Sequence, residues 1–125
     1  MQRKQILLVD DEHDIREVAS MTLELIGGWD VVTASSGTEC IRKAQEGRPD
    51  AILLDVMMPE MDGPSTLRHL KANQQTCAIP VIFITAKVQA ADKRRFMELG
   101  VDAIISKPFD PLTLAGEVSA ILGWS

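Results

Sequence analysis

The chain has 125 residues, 46% of them hydrophobic, and no apolar run long enough to cross a membrane, so it fits one domain (residues 1–125) able to bury a sizeable core. A net charge of −5 excludes the broad cationic surface on which nucleic-acid affinity rests, leaving only the local patch Lys93-Arg94-Arg95. Two cysteines without CxxC spacing, Cys40 and Cys77, read as free thiols, and the start Met1-Gln2-Arg3-Lys4 lacks the apolar stretch of a secretory leader, so a cytoplasmic location is expected.

Gln5 to Val9 is a short, mostly apolar run cut off by Asp10-Asp11-Glu12, which predicts a strand buried on both faces and reaching a polar edge. Ile15, Val18, Ala19, Thr22, Leu25 and Ile26 recur at helical spacing and predict an amphipathic helix over Asp14 to Ile26, closed by Gly27-Gly28. Asp30 to Ala34 reads as a second strand, and Ser36-Gly37-Thr38-Glu39 is a capping-box pattern opening a helix to about Glu46. Ala51-Ile52-Leu53-Leu54 is a third buried strand that ends on Asp55, and a carboxylate there belongs at an open end, because an unpaired buried charge is costly. Met58-Pro59 turns the chain, and Asp62-Gly63-Pro64 supplies a cap and a first-turn proline for a helix to about Ala72.

Asn73 to Thr76 is a polar loop before a fourth strand, Pro80 to Ile84, which ends at Thr85-Ala86. A helix over Ala90 to Leu99 is expected to turn Phe96, Met97 and Leu99 inward and to close at Gly100. Asp102 to Ile105 is the fifth strand, terminated by Ser106-Lys107-Pro108-Phe109. Asp110-Pro111 reads as a cap and first-turn proline for a last helix with Leu114, Val118, Ile121 and Leu122 on one face, up to Gly123.

Strands alternating with helices imply a parallel five-stranded sheet covered on both faces, a three-layer α/β/α sandwich. In such sheets the functional crevice lies at the carboxyl ends of the strands. Those ends carry Asp10 and Asp11, Asp55, Thr85 and Lys107: three carboxylates, a hydroxyl and an ammonium. Crowded carboxylates repel one another, and a hard divalent cation relieves them; all-oxygen donors on an open edge suit Mg²⁺, with Mn²⁺ as a substitute. His13 and His69 read as solvated helix residues outside any such site. A carboxylate beside Mg²⁺ can attack phosphorus and form an aspartyl phosphate, with Asp55 as the nucleophile and Lys107 and the Thr85 hydroxyl on the phosphoryl oxygens.

The motifs Val9-Asp10-Asp11-Glu12, Leu54 through Gly63 (LDVMMPEMDG), Ile84-Thr85-Ala86 and Ser106-Lys107-Pro108-Phe109 resemble those of the receiver domains of bacterial two-component response regulators, and the resemblance covers essentially the whole chain. It implies strand order 2-1-3-4-5 and phosphoryl uptake by Asp55 from a phosphohistidine on a sensor histidine kinase or phosphotransfer protein. It further implies Mg²⁺ held by Asp11, Asp55 and the main-chain carbonyl of Met57, with Asp10 acting through a water, and phosphoryl contacts from Lys107, Thr85 and the backbone N–H of Ala86. In the family Thr85 moves together with an aromatic residue of the fifth strand; here that position is Ile104, so Thr85 is expected to move while Ile104 repacks with a smaller change of surface. Met57 and Lys87 would flank the path of the hydrolytic water.

These implications make the chain a signalling domain whose only catalysis is its own phosphorylation and dephosphorylation, with an output surface around the fourth and fifth helices that could also support a homodimer. The rival readings are a phosphatase turning over a separate substrate through an aspartyl phosphate, which would want DxDxT where the sequence has Asp55-Val56-Met57-Met58-Pro59, and a non-phosphorylated pseudo-receiver, which would want the acids or Lys107 missing. With no room for an output domain after Trp124-Ser125, a stand-alone receiver or one cut from a longer protein is expected, acting on a downstream protein target or output domain outside this chain, without nucleic acid or membrane.

Overall fold

In the computed structural model, residues 3–86 and 89–124 are described; Lys87, Val88 and the terminal Met1, Gln2 and Ser125 lie outside them. Five strands alternate with five helices: β1 (Gln5–Val9), α1 (His13–Leu25), β2 (Asp30–Ala34), α2 (Gly37–Gly47), β3 (Ala51–Asp55), α3 (Gly63–Ala72), β4 (Val81–Thr85), α4 (Ala90–Glu98), β5 (Ala103–Ser106) and α5 (Leu114–Leu122). All strand pairs are parallel, in the order β2-β1-β3-β4-β5, so the connection reverses direction between β1 and β3. The expected three-layer sandwich and strand order are therefore present.

Because strand side chains alternate between faces, each central strand feeds two cores. Leu7, Val9, Ile52, Leu54, Val81 and Phe83 pack with Leu67, Leu70 and Phe96 from α3 and α4. Ile6, Leu8, Leu53, Ile82, Ile84 and Ile105 pack with Ala19 and Leu23 from α1 and Leu114 and Val118 from α5. Continuing that alternation past the strand ends carries Asp10, Asp55 and Lys107 toward the second face, and Thr85 toward the first.

Two helix starts follow their capping chemistry. Asp62 Oδ1 accepts the Ser65 N–H at 2.9 Å with Pro64 in the first turn, and Ser36 Oγ accepts the Glu39 N–H at 3.1 Å. The Glu39 carboxylate reaches back one residue further than a capping box requires, to the Ser35 N–H at 2.6 Å. That bond, more than the nearby Lys43 and Arg42, holds the Glu39 pKa below the usual carboxylate range.

Three expectations are corrected. Asp110 caps a turn and not α5: its Oδ1 accepts the Leu112 N–H at 2.9 Å, and the helix begins at Leu114. On α1 the buried residues are Ala19 and Leu23, while Val18, Leu25 and Ile26 are exposed, because the sheet covers a face offset from the apolar stripe. On α4 only Phe96 is buried; Met97 is 48% exposed, one residue round the helix from the covered side.

Cys40 and Cys77 are both free, and burial pushes the Cys40 thiol up to about 12. His13 pairs with Glu17 at 3.1 Å on the exposed face of α1, and His69 bonds the Ser65 carbonyl within α3, so neither approaches the acidic residues as a ligand.

Candidate functional site

Strand register brings the acids together. Val9 lies opposite Leu54, so the next residues along, Asp10 and Asp55, emerge side by side at the β1–β3 reversal. Asp10 is 2% exposed and Asp55 3% exposed, whereas Asp11 is exposed. Carboxylate oxygens of Asp10, Asp11 and Asp55 all lie within 4.8 Å of one another. From β5, where Ser106 pairs with Thr85, the chain delivers the next residue into the same cluster: Lys107 Nζ is 2.8 Å from Asp10 Oδ2 and 3.3 Å from Asp55 Oδ1. The Lys107–Pro108 peptide that follows is cis.

The electrostatics follow from this packing. Burial pushes the Asp55 pKa up to about 6, and the Asp10 charge adds to that, while Lys107 and the Met57 N–H, 3.4 Å from Asp55 Oδ1, pull the other way. For Lys107 burial works against the ammonium, but hydrogen bonding and attraction to Asp10 and Asp55 outweigh it and raise its pKa above the usual lysine value. Lys107 is thus the internal counter-ion of Asp10 and Asp55. Three carboxylates with one solvent-facing member and no nitrogen or sulfur donor among them make an all-oxygen donor set that fits a hard divalent cation.

The loop after β3 holds Asp55 in place. Val56 N–H donates to the Ile84 carbonyl at 3.2 Å and Gly63 N–H to the Val56 carbonyl at 2.9 Å, closing a tight loop in which Glu60 takes a left-handed φ of 67°. A Cβ on Gly63 would sit 2.8 Å from both the Asp55 carbonyl oxygen and the Val56 Cα, too near for any side chain. Gly63→Ala is therefore expected to destabilise the protein by roughly 2 kcal/mol and to displace the Asp55 backbone. Urea denaturation measures the first effect and amide chemical shifts of residues 55–57 the second.

Of the remaining residues singled out, Thr85 is fully buried at the end of β4, its carbonyl accepting the Lys107 N–H at 2.9 Å. Ala86 is exposed and lines a mostly apolar cleft of about 400 Å³, which opens beside Lys107 between Ile15 and Val18 of α1 and Phe109. Met57 is exposed, and Ile104 is half-buried opposite Phe83 against the α3–α4 core. Lys87, expected near the water path, lies outside the described residues. One residue that the sequence reading passed over is Arg16, whose Nη1 donates to the Asp10 carbonyl at 2.7 Å. Its only sequence signal is a cation on the second turn of a helix that starts beside two acids.

The family model described as the response regulator receiver domain matches residues 6–119. The alkaline phosphatase synthesis transcriptional regulatory protein PhoP of Bacillus subtilis is 43% identical over 119 residues, 95% of this chain and 48% of that protein. The phosphate regulon transcriptional regulatory protein PhoB of Escherichia coli is 37% identical over 119 residues, 95% of this chain and 52% of that one. This chain thus spans about half the length of these curated relatives. Among solved structures, the chemotaxis response regulator CheY4 of Vibrio cholerae superposes with a TM-score of 0.89 at 32% identity, covering 96% of this chain and 99% of that one. No helix among the described residues is long and apolar enough to cross a membrane.

Proposed function

Since the chain belongs to the response regulator receiver domain family, we propose that Asp55 accepts a phosphoryl group from a phosphohistidine on a sensor kinase or phosphotransfer protein in the cytoplasm, and that the domain changes its protein-binding surface in response. The observation that carries this reading is the Lys107 ammonium, 3.3 Å from Asp55 and 2.8 Å from Asp10, beside a three-carboxylate cluster. A nucleophilic carboxylate, a cation to meet the incoming charge and donors for a hard metal are what phosphoryl transfer to an aspartate requires.

In the transfer, a carboxylate oxygen of Asp55 forms a bond to phosphorus as the phosphorus–nitrogen bond breaks, and the imidazole keeps the electron pair and takes up a proton. Asp11, Asp55 and the Met57 carbonyl would hold Mg²⁺, with Asp10 acting through a water, and the ion would neutralise charge on the phosphoryl oxygens. Lys107 leaves its two carboxylates to contact one phosphoryl oxygen, and the Thr85 hydroxyl and Ala86 N–H serve others. Thr85 thereby moves, and Ile104 repacks behind it. The chain turns over no separate substrate.

Intact-mass spectrometry after incubation with acetyl phosphate tests this. A single phosphoryl adduct that requires Mg²⁺, is labile to hydroxylamine and is absent from Asp55→Asn is expected. An adduct that persists in Asp55→Asn would overturn the assignment.

Met57 is 56% exposed and its thioether cannot orient a water for attack on the acyl phosphate. Met57→Asn, which adds an amide there, is expected to shorten the phosphoryl half-life roughly tenfold, less than the 10²- to 10⁴-fold of a positioned general base, because an amide orients the water without taking its proton. The decay of the adduct by mass checks it, and equal half-lives would contradict it.

A further inference from the structure

We propose that Arg16 is a positioning residue for the divalent-cation site, acting through the peptide that joins Asp10 to Asp11; this rests on the assignment of that site above. All of the polar handles of Asp10 are engaged. Its N–H donates to the Ala34 carbonyl at 3.1 Å, Oδ1 accepts the Glu12 N–H at 2.9 Å, Oδ2 meets Lys107 at 2.8 Å, and its carbonyl, one residue beyond the end of β1, accepts Arg16 Nη1 at 2.7 Å.

That last bond matters for the next residue. A peptide unit is planar, so pinning the Asp10 carbonyl also fixes the position of the Asp11 Cα. Asp11 is exposed, and no hydrogen bond of its side chain occurs among the described residues, so the backbone alone aims its carboxylate at Asp10 and Asp55. The bond from Arg16 is short and charge-assisted, and Arg16 itself is half-buried. Among the described residues Arg16 forms no ion pair, although Glu12, Asp14 and Glu17 are its near neighbours in sequence. Its guanidinium is thus committed to a carbonyl in preference to those acids. Being carried on the second turn of α1, it also ties the placement of that helix to the aim of Asp11.

The test uses Mn²⁺ as a paramagnetic probe. Binding is titrated by electron paramagnetic resonance, and water-proton relaxation counts the waters on the bound ion, in the native chain, Arg16→Met, Arg16→Lys, Asp11→Asn and the Arg16→Met/Asp11→Asn double variant. Arg16→Met, which keeps aliphatic bulk and loses the donor, is expected to weaken Mn²⁺ binding about tenfold and to add one water as Asp11 releases the ion. Arg16→Lys, with charge but a single donor group, falls between Arg16→Met and native, and should the Met variant not fold, weaker Mn²⁺ binding by Arg16→Lys than by the native chain still reads the effect. In the Asp11→Asn background, Arg16→Met should change affinity less than twofold, since the residue it acts through is already gone. Native-like affinity and hydration in both Arg16 variants, or losses from Arg16→Met and Asp11→Asn that multiply, would overturn the proposal while leaving the metal site intact. A native chain that fails to bind Mn²⁺ would overturn the site and the proposal together.

Discussion

In the absence of divalent cations, Asp55→Asn is expected to be about 3 kcal/mol more stable than the native protein at about pH 7.5, because burial and the Asp10 charge hold the Asp55 pKa at about 6 in place of its ordinary 3.8. An acid whose folded pKa is raised binds more protons folded than unfolded across that interval. Its contribution to stability therefore falls as pH rises from about 4 to about 6, and the full cost is present above that range. Asparagine is neutral throughout and escapes it. The advantage of Asp55→Asn should vanish below about pH 3, where the native side chain is protonated in both states. On the proposed Mg²⁺ site it should also shrink in saturating Mg²⁺, since an ion held by the folded state alone stabilises that state by mass action. Urea denaturation at several pH values, with and without Mg²⁺, gives the comparison; a difference independent of pH would show that the Asp55 charge is not the source of the strain.

Lys107→Met should act with the opposite sign. The native ammonium bridges two carboxylates that are each no more than 3% exposed, and removing it leaves both buried without their counter-ion. A loss of about 3 kcal/mol is expected in metal-free buffer at neutral pH, the cost of stranding a buried charge. The titration of Lys107 plays no part in that range, since its raised pKa keeps it charged in both states. Three interventions should restore stability: protonating Asp55 below about pH 6, adding Mg²⁺, or combining the change with Asp55→Asn. Mg²⁺ should bind the variant more tightly than the native protein, because the ammonium no longer competes for Asp55. Phosphoryl uptake from acetyl phosphate should nonetheless fall by about 10²- to 10³-fold, the usual effect of losing one electrostatic stabiliser of the transferred group. A variant that is as stable as the native protein in metal-free buffer would mean that Asp10 and Asp55 do not depend on Lys107.

The two predictions differ in how visible their causes are in the sequence. Asp55 and Lys107 each stand out as a charge at the end of an apolar run, which is a local signal. That they meet is not local, since the 3.3 Å contact of Lys107 with Asp55 exists only once β5 is placed two strands from β3, and its 2.8 Å contact with Asp10, 97 positions away, only once β5 lies three strands from β1. The ends of α3 were readable because Asp62, Gly63 and Pro64 each have a preferred place in a helix start. The start of α5 was not, because Asp110-Pro111 suits a turn as well as a first helical turn, and only packing of Leu114 and Val118 against the sheet chooses between them. Periodicity likewise announced α1 and α4 as amphipathic without saying how wide a face the sheet would cover, which is why Val18, Leu25, Ile26 and Met97 stand in solvent.

By itself, then, the sequence determined the alternation of strands and helices, the apolar strand interiors and the polar residues at their carboxyl ends, since each depends on neighbours a few positions away. Tertiary structure alone decided the register that sets Asp10 beside Asp55, the burial that lifts the Asp55 pKa, the capture of Lys107 as counter-ion and the hold of Arg16 on the Asp10 carbonyl. Each of those is a matter of distance and solvent exclusion between segments remote in the chain, and neither quantity exists until the sheet has assembled and its helices have closed over it.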